Sequence, residues 1–392
     1  MKALFIHDHP FIKNNKTGKL YTSGNLNSEL WNRYLKHFSS ITVIGRCKSE
    51  DDTSRYHLAE KENVTFKLFY DVKGGSDYFK KRNKIEIKLK EEISKHDIVI
   101  LRFPATISIF AAQYCIKNKI PYVAEVVGCS WDCTWNYGGL GTKIIAPYSY
   151  FQMKKAVKNA IASIYVTNFF LQKRYPSNAE IKAYASNVIL KEVDETALTK
   201  RLNKIEHNSK VFHVGIIGNI AVKYKGYDVL LEAVNKLPSE IRSKIKISFV
   251  GGGNPDYLKD LIKINNLGDQ AQILGKYKAG KEIFNFLDTL DLYIHPSRQE
   301  GLPRVVIEAM SRACPVLASS VAGTPELIHE NFIHKPGDSL KLLNDIKFLI
   351  ENKSELNQMA KDNFANSKEY LFEKLEARRE LFFKQVTKII EE

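Results

Sequence analysis

Short apolar segments alternate with amphipathic segments along the whole chain. In the first half, nearly continuous apolar runs predict strands, and helical periodicity lies between most of them, for example over 23–38, 78–95 and 107–117. This alternation is typical of a parallel sheet covered by helices on both faces. The predicted strands of this half are residues 2–7, 40–45, 64–70, 97–102, 121–128 and 162–167.

The alternation starts again in the second half, after the polar segment Lys200–Lys210, which is the candidate linker. From about Asp338 the pattern is helical to Glu392. The sequence therefore predicts an α/β protein with two doubly wound domains, and ligands of such sheets bind at the carboxyl ends of the strands, here in a central cleft. The predicted strands of this half are residues 211–218, 246–253, 272–275, 290–297 and 315–319.

Length and composition agree with a protein of two domains in the cytoplasm. The 392 residues exceed one typical core, and no run of about 18 apolar residues predicts a membrane span. The N-terminus MKALFIHDHPF predicts a first strand rather than a signal peptide. Five scattered cysteines indicate reduced thiols. Cys129 and Cys133 have one-turn spacing but lack two further ligands, so no metal site is predicted.

The positive charge is concentrated in the first half. Residues 1–200 hold 31 Lys and Arg against 19 Asp and Glu, whereas the remainder holds 28 against 25. Such basicity can attract nucleic acid, an anionic bilayer or an anionic substrate, and charge alone does not choose among them. The stretch 78–90 is a candidate membrane contact, with a solvated helix as the alternative.

Two glutamates flank a turn in the segment RQEGLPRVVIEAM, residues 298–310. Glu300 precedes a Gly-Leu-Pro turn whose free amides favour an anion at the start of a helix. Glu308 interrupts an apolar run, where a charge is costly unless it is paired. A carboxylate on the open face of that helix can accept two hydroxyl donors, as adjacent ribose hydroxyls would supply. Alternatively, Glu308 pairs with Arg304 or Arg312 on a solvated face.

The longer string HPSRQEGLPRVVIEAMSRACPVLASSVAGTPELI, residues 295–328, resembles the donor-binding segment of family-4 (group 1) retaining glycosyltransferases. These enzymes have the GT-B architecture of two Rossmann-like domains. The resemblance implies an acceptor-binding domain over 1–205, a nucleotide-sugar domain over 206–371, and a terminal helix, 372–392, that packs back on the first domain. The matched features are Pro296-Ser297, Glu300-Gly301-Leu302-Pro303, Glu308-Ala309-Met310, Pro315-Val316, Gly323 and Glu326.

The resemblance also implies roles for individual residues. Lys225, in a Lys-Gly pair that follows Gly218, would stabilise the leaving diphosphate, because a fixed cation can do so without a metal. Glu308 would accept the ribose hydroxyls. Glu300, with the amides of Gly301 and Leu302, would hold sugar hydroxyls and phosphate.

Three regions depart from the family pattern, and one of them is HENFIHKPGD, residues 329–338, which replaces the usual Gly-rich stretch after Glu326. Asn219 stands where the family commonly has an arginine on the diphosphate, and Lys223 is the candidate to supply that charge. The region AEVVGCSWDCTWN, residues 124–136, lacks the histidine that many members place near the transferred sugar. Trp131, Asp132 and Trp135 are candidates for sugar or acceptor contacts there, with a loop anchored by buried tryptophans as the alternative.

Two further acceptor-side candidates lie near the first strand. Gly18 and Gly24 flank the loop that follows it, and Gly24 would face the acceptor, although Ser23-Gly24-Asn25 also suits an ordinary helix cap. His7 ends the strand in a position suited to the acceptor side, although a lone histidine there is more often structural.

The expected activity is retaining transfer of a sugar from a nucleotide-sugar, UDP-sugar favoured, without cofactor or metal. The acceptor would be a hydroxyl of a saccharide or of a lipid-linked pyrophosphate saccharide. This points to bacterial cell-surface polysaccharide synthesis (capsule, O-antigen or exopolysaccharide) in the cytoplasm, with peripheral contact at the inner face of the membrane. The alternatives are a nucleotide-sugar epimerase of the same architecture and a non-catalytic sugar-binding relative. Charge alone would allow a nucleic-acid-binding protein, but no recognition motif supports one.

Overall fold

The computed structural model describes residues 1–73, 75–136, 140–207 and 211–392. The chain divides into two units. Unit 1 comprises Met1–Ala185 together with Glu376–Glu392, and unit 2 comprises Ser186–Leu375.

Unit 1 is built on one sheet, which contains nine strands within the described residues. Its main path runs β4-β2-β1-β6-β7-β8-β9, while β3 pairs with β1 and β5 pairs with β3. The strands are β1 (Lys2–Asn14), β2 (Leu20–Thr22), β3 (Ser40–Glu50), β4 (His57–Leu58), β5 (Val64–Phe66), β6 (Ile98–Phe103), β7 (Tyr122–Val126), β8 (Ala162–Tyr165) and β9 (Ile181–Tyr184).

Most pairs in this sheet are parallel, because helices return the chain between the strands. The central strand β6 is buried along its whole length, as an apolar strand covered on both faces should be. The helices of this part are α1 (Ser28–Leu35), α2 (Asp77–Lys80), α3 (Arg82–Ile93), α4 (Thr106–Asn118), α5 (Ser130–Asn136), α6 (Leu140–Lys158) and α7 (Phe170–Arg174).

The start of the chain departs from the predicted parallel pattern. Strand β1 continues to Asn14 and turns back into β2, which pairs antiparallel with β1 and with β4. Gly18 lies in the turn of this hairpin at φ +72°, a conformation that glycine adopts without strain. The Gly18 N–H donates to the Asn14 carbonyl at 2.9 Å. Gly18 therefore lies in the turn of a hairpin that extends the first strand beyond its predicted end at His7.

Unit 2 is built on a six-stranded sheet, counted over the described residues, in the order β12-β11-β10-β13-β14-β15. All its pairs are parallel. The strands are β10 (Phe212–Ile217), β11 (Ile245–Val250), β12 (Ala271–Gly275), β13 (Leu292–His295), β14 (Val316–Ser319) and β15 (Ile333–His334).

Helices and short turns connect these strands. The order reverses between β10 and β13, so the loops that leave their carboxyl ends lie side by side, where open sheets bind ligands. The helices are α8 (Thr196–Glu206), α9 (Tyr227–Asn235), α10 (Ser239–Arg242), α11 (Asp256–Ile264), α12 (Lys281–Thr289), α13 (Arg304–Ser311), α14 (Ser339–Glu351) and α15 (Lys353–Ser367).

The division between the units lies at Ala185/Ser186, twenty residues before the predicted boundary at 205. The predicted linker is wrong over 200–206, because these residues belong to α8, and residues 208–210 lie outside the described residues. Arg201 explains the difference. It is 3% exposed, and its guanidinium donates to the Leu290 carbonyl and, at 2.9 Å, to the Leu287 carbonyl in unit 2.

The last helix, α16 (Phe372–Glu391), belongs to unit 1 from Glu376 onward. Within unit 1, Glu376 accepts from Arg33 at 2.7 Å, and Phe383 packs edge-on against Tyr34 at 5.5 Å. Among the described residues, none of the helices has the length and apolar character needed to span a membrane.

Candidate functional site

The loops after β10 and β13 are held in direct backbone contact in unit 2. A Cβ atom on Gly226 would lie 2.1 Å from the Pro296 carbonyl oxygen, and the residue has φ +76°, so only glycine fits there. Beside it, the Arg298 N–H donates to the Tyr224 carbonyl at 2.6 Å. The Arg298 guanidinium also binds both carboxylate oxygens of Asp228, at 2.8 and 2.7 Å. These contacts fix the Lys-Gly turn against the segment that carries Glu300.

The glycines after β10 and β11 leave room for the Lys225 side chain. A Cβ on Gly218 would lie 3.2 Å from the Cδ and Cε atoms of Lys225. On its other side, a Cβ on Gly251 would lie 1.6 Å from the Gly218 carbonyl oxygen. The lysine stem therefore crosses directly over the Gly218 backbone, which in turn is pressed against the loop that follows β11.

The Lys225 ammonium meets Glu300 and His295 in a small buried group, here named the Glu300 corner. Lys225 Nζ lies 2.7 Å and His295 Nε2 2.9 Å from the same oxygen, Glu300 Oε1. His295 Nδ1 lies 3.2 Å from the Tyr293 hydroxyl. Both side chains of the ion pair are mostly buried, with 17% of Lys225 and 14% of Glu300 exposed.

The charge state of Glu300 follows from these neighbours. Burial alone would raise its pKa, but the Lys225 ammonium and His295 outweigh burial and hold the pKa of this carboxyl well below its usual range. Glu300 is therefore a carboxylate at neutral pH, and its orientation is fixed by two side chains.

Glu308 lies on α13 in the opposite electrostatic situation. It is partly buried, and no hydrogen bond or ion pair of its carboxylate occurs within the described parts of the chain. Burial raises its pKa to about 7, and the Arg304 charge opposes this only in part. Arg312, the other partner considered from the sequence, instead pairs with Asp288 at 2.7 Å. A carboxylate left in this state gains most from donors that a ligand supplies.

The charges of both glutamates affect the pKa of one buried tyrosine. Burial is the main cause that raises the pKa of Tyr293, and the negative charges of Glu300 and then Glu308 add to it. The charges of both carboxylates therefore reach the same tyrosine of β13, and their membership of one ligand site stays a prediction.

Backbone donors lie beside Glu300. Over the ranges that the structure describes, the N–H groups of Gly301 and Leu302 do not donate to any other protein group. The Gly301 carbonyl accepts from Gly323 N at 2.9 Å, which ties the turn to the loop after β14. The predicted anion-binding amides are thus available in a fixed turn.

Asn219 and Lys223, the positions where the sequence departs from the family pattern, have local partners. The Asn219 side-chain oxygen accepts from Ala221 N at 3.0 Å, which shapes the loop after Gly218. Lys223 is exposed, and its ammonium lies 5.6 Å from the centre of the Tyr257 ring. Neither contact brings these side chains into the Glu300 corner.

In unit 1, His7 is tied to the neighbouring strand. Its Nδ1 lies 3.3 Å from the Arg102 carbonyl, so Nδ1 carries the proton and donates. Burial, assisted by the Arg102 charge, lowers the pKa of His7 to about 3. His7 is therefore neutral at physiological pH, and its Nε2 is left as an acceptor.

Gly24 is associated with His9 rather than with His7. Its N–H donates to Thr22 Oγ1 at 3.0 Å, and His9 Nε2 lies 2.7 Å from the same hydroxyl. Between the two histidines, Asp8 accepts from the Ile107 N–H at 2.9 Å, at the start of α4. His9 is therefore a further acceptor-side candidate, which the sequence analysis missed.

Trp131 and Asp132 lie on α5, away from these contacts along the chain. Trp131 and Trp135 stack face to face, with centroids 5.4 Å apart and an interplanar angle of 12°. Asp132 lies 3.8 Å from the Arg174 guanidinium. The stacked faces cover each other, so a sugar ring could pack only on the outer faces. Trp135 is 41% exposed and therefore does not fit the alternative of a loop anchored by buried tryptophans.

His295 is the functional candidate in unit 2 that sequence reasoning missed. It is 2% exposed and ends β13 immediately before the Pro-Ser of the motif. The signal available was its position five residues before Glu300 at a strand end, but a histidine in an apolar strand gives no indication of its partner.

Comparison with known proteins identifies the family and the fold of the chain. Residues 199–366 match the family model described as glycosyl transferases group 1. Protein CapJ of Staphylococcus aureus is 32% identical over 391 residues, covering 100% of this chain and 97% of that protein. The capsular polysaccharide biosynthesis glycosyltransferase CapH of the same organism is 29% identical over 127 residues, covering 32% of this chain and 34% of that protein.

A solved structure has the same fold along the whole chain. Anabaena Alr3699/HepE in complex with UDP-glucose superposes with a TM-score of 0.63 at 17% identity, covering 99% of this chain and 100% of that chain. The match over 199–366 falls in unit 2. The same unit contains the Lys225–Glu300 pair and the turn that carries the Gly301 and Leu302 amides. The chain belongs to the group 1 glycosyltransferases and has their GT-B fold of two Rossmann-like α/β domains.

Proposed function

We propose that this glycosyltransferase moves a sugar from a UDP-sugar to a hydroxyl of a saccharide or lipid-linked saccharide, with retention and without a metal. The observation that carries the proposal is the Lys225–Glu300 ion pair at the carboxyl ends of β10 and β13, 2.7 Å long and mostly buried. The pair fixes a cation and a carboxylate that can accept hydrogen bonds at the place where open sheets bind ligands.

The nucleotide would bind along unit 2. The unpaired Glu308 carboxylate would accept both ribose hydroxyls, since it has no partner of its own among the described residues. Lys225 uses one of its three N–H donors on Glu300, so two remain for the diphosphate. The amides of Gly301 and Leu302 would bind phosphate oxygens, and the second Glu300 oxygen would accept from sugar hydroxyls.

The reaction would break the bond between sugar C1 and the diphosphate oxygen and form a bond from C1 to the acceptor oxygen on the same face. The acceptor's proton would pass to the departing phosphate. Lys225 would stabilise the negative charge that develops there, which is the task a metal performs in other enzymes. Unit 1, with His7, Gly24, Trp131 and Asp132 as candidates, would supply the acceptor contacts.

The class of acceptor is proposed from charge and from the relatives. The basic residues are concentrated in the first half of the chain, which suits an acceptor that carries phosphate. CapH carries a name from capsular polysaccharide biosynthesis. We therefore propose assembly of a bacterial cell-surface polysaccharide at the inner face of the cell membrane.

A ligand screen tests the donor. UDP, GDP and ADP are compared by thermal shift, followed by the sugars of the base that stabilises. A nucleotide at 100 times its dissociation constant should stabilise the fold by roughly 2.7 kcal/mol. UDP should give the largest shift. No shift with any nucleotide would contradict the proposal.

Product analysis by NMR tests the reaction. An α-linked donor should give an α-linked product, and the rate should be unchanged by a chelator. A β-linked product would exclude retention, and loss of activity with the chelator would exclude metal independence. A changed donor sugar without any acceptor would indicate an epimerase instead.

A further inference from the structure

The α6 helix of unit 1 carries an exposed apolar stripe that the proposed site does not use. Ile144, Tyr148 and Phe151 are 78%, 44% and 63% exposed, and their spacing of four and three residues places them on one face. The opposite face of α6 is buried through Ala146, Met153 and Val157. The helix is therefore apolar on both faces, and the described part of the chain covers only one of them.

Aromatic side chains extend this stripe. Trp135 is 41% exposed and stacks on Trp131, which meets Tyr150 edge-on at 6.2 Å. Tyr150 in turn packs against Phe151 at 5.3 Å. A continuous row of rings therefore joins exposed Trp135 to exposed Phe151. Tryptophan and tyrosine are the residues that favour the interface between water and lipid.

Every charged residue of the helix that carries the stripe is a lysine. Residues 141–158 contain four lysines and no acidic residue. Lys143 lies 5.4 Å from the centre of the Trp135 ring. Lys155 and Lys158 are exposed and follow Phe151 at spacings of four and three residues, so they lie on the same face of the helix beyond the end of the apolar stripe. An apolar face bordered by lysines is the pattern of helices that lie in the surface of an anionic bilayer.

The basic stretch 78–90 that the sequence singled out is a weaker candidate. Lys84 pairs with Asp71 at 2.8 Å, and Arg82 pairs with Glu86 at 2.7 Å, so much of its charge is compensated locally. It lies near α6 nonetheless, because Arg82 donates to Gln113, which donates to Gln152 of α6.

We propose that the α6 stripe (Ile144, Tyr148 and Phe151, with Trp135 and the lysines around them) docks unit 1 on an anionic lipid bilayer. The proposal extends the proposed function, in which a lipid carries the acceptor. The apolar side chains enter the headgroup boundary while the lysines meet anionic headgroups, so both parts contribute to binding.

Vesicle flotation of the full chain tests this proposal. Wild-type protein should float with vesicles of phosphatidylglycerol and phosphatidylethanolamine and stay behind with phosphatidylcholine alone. The double variant Ile144→Ser/Phe151→Ser should lose roughly tenfold in its partition coefficient. The matched control Ile264→Ser/Phe348→Ser removes exposed apolar side chains from unit 2 and should bind as the wild type does.

The charge contribution is tested separately. Lys155→Gln/Lys158→Gln should weaken binding by roughly fivefold for each lysine at low salt, and high salt should remove the difference. The control Lys347→Gln/Lys361→Gln should have no effect. On binding, tryptophan fluorescence should shift to shorter wavelength, because Trp135 enters the lipid.

UDP stabilisation is measured on every variant, so failure of the membrane proposal is separate from failure of the proposed donor site. Wild-type protein that stays unbound, or an α6 variant that binds as tightly as its control, would overturn the proposal. If instead the α6 variant abolishes self-association in sedimentation, the stripe is an interface between copies of the chain and the proposal is wrong.

Discussion

The two glutamates of the motif, Glu300 in the Glu300 corner and Glu308 on α13, have opposite electrostatic surroundings. Glu300 is fixed by Lys225 and His295, and these partners hold its pKa well below its usual range. Glu308 has no partner in the described structure, and burial raises its pKa to about 7. The protein itself therefore supplies charged and hydrogen-bonding partners to Glu300, whereas it supplies none to the Glu308 carboxylate among the described residues.

The largest expected effect comes from removing the cation of the Glu300 corner. Lys225→Met should lower kcat/KM by roughly 100- to 1,000-fold, because the diphosphate would lose a preorganised charge. Steady-state kinetics with a UDP-sugar measures the effect. Lys236→Met, which removes an exposed lysine immediately after α9, is the control and should leave kcat/KM unchanged. Equal losses of kcat/KM in both variants would mean that the overall charge of the protein, and not the position of Lys225, determines the rate.

The ion pair itself should contribute to stability. Glu300→Gln leaves the mostly buried Lys225 without its carboxylate and should cost about 2–3 kcal/mol of unfolding free energy. In a denaturant cycle with Lys225→Met, the double variant should lose clearly less than the sum of the single variants. Simple additivity would mean that the two charges do not depend on each other.

Glu308 should give a smaller stability effect of the opposite sign. The unfolded chain releases this proton near pH 4.5 and the folded chain only near pH 7. The unfolding free energy therefore falls as pH rises across that interval, by about 1–3 kcal/mol. Glu308→Gln removes this loss, so its unfolding free energy at pH 8 should exceed that of the wild type.

The difference between the two pH profiles isolates Glu308. Burial lowers the pKa of His7 to about 3 and that of His9 to about 4, so both histidines add stability as pH rises toward 6.5. Subtracting the Glu308→Gln profile removes these contributions. A flat difference curve between pH 4.5 and pH 7 would contradict the account of Glu308.

His295 should have the smallest effect on catalysis. His295→Phe keeps a buried ring but removes the contact to Glu300, which should lower kcat by roughly tenfold through looser positioning. His295→Gln, which can still donate to Glu300, should restore part of the rate with little change in KM. If both variants lose activity equally, His295 has a packing role only.

The order of strands and helices was largely predictable, because buried parallel strands are short apolar runs. The motif around Glu300 and the Lys225-Gly226 turn also followed from the sequence. The pairing of Lys225 with Glu300, 75 residues apart, depends on Gly226 meeting Pro296, and only the folded backbone shows that approach.

Other features were missed because nothing local signals them. Strand β1 was predicted to end at His7, but it continues to Asn14 because a hairpin extends it. The polar pattern of 200–210 concealed Arg201, whose buried guanidinium binds carbonyls about 90 positions later. A charged residue in a polar run predicts solvent exposure unless its distant partners are known.

The most direct test of the donor site is calorimetric titration of UDP-glucose at pH 7 in two buffers that differ in ionisation enthalpy. Glu308 is about half protonated at this pH, and hydroxyl donors favour its charged form. Binding to the wild type should therefore release about half a proton, and binding to Glu308→Gln should release none and be weaker. Equal affinity and equal proton release in the two proteins would contradict the account.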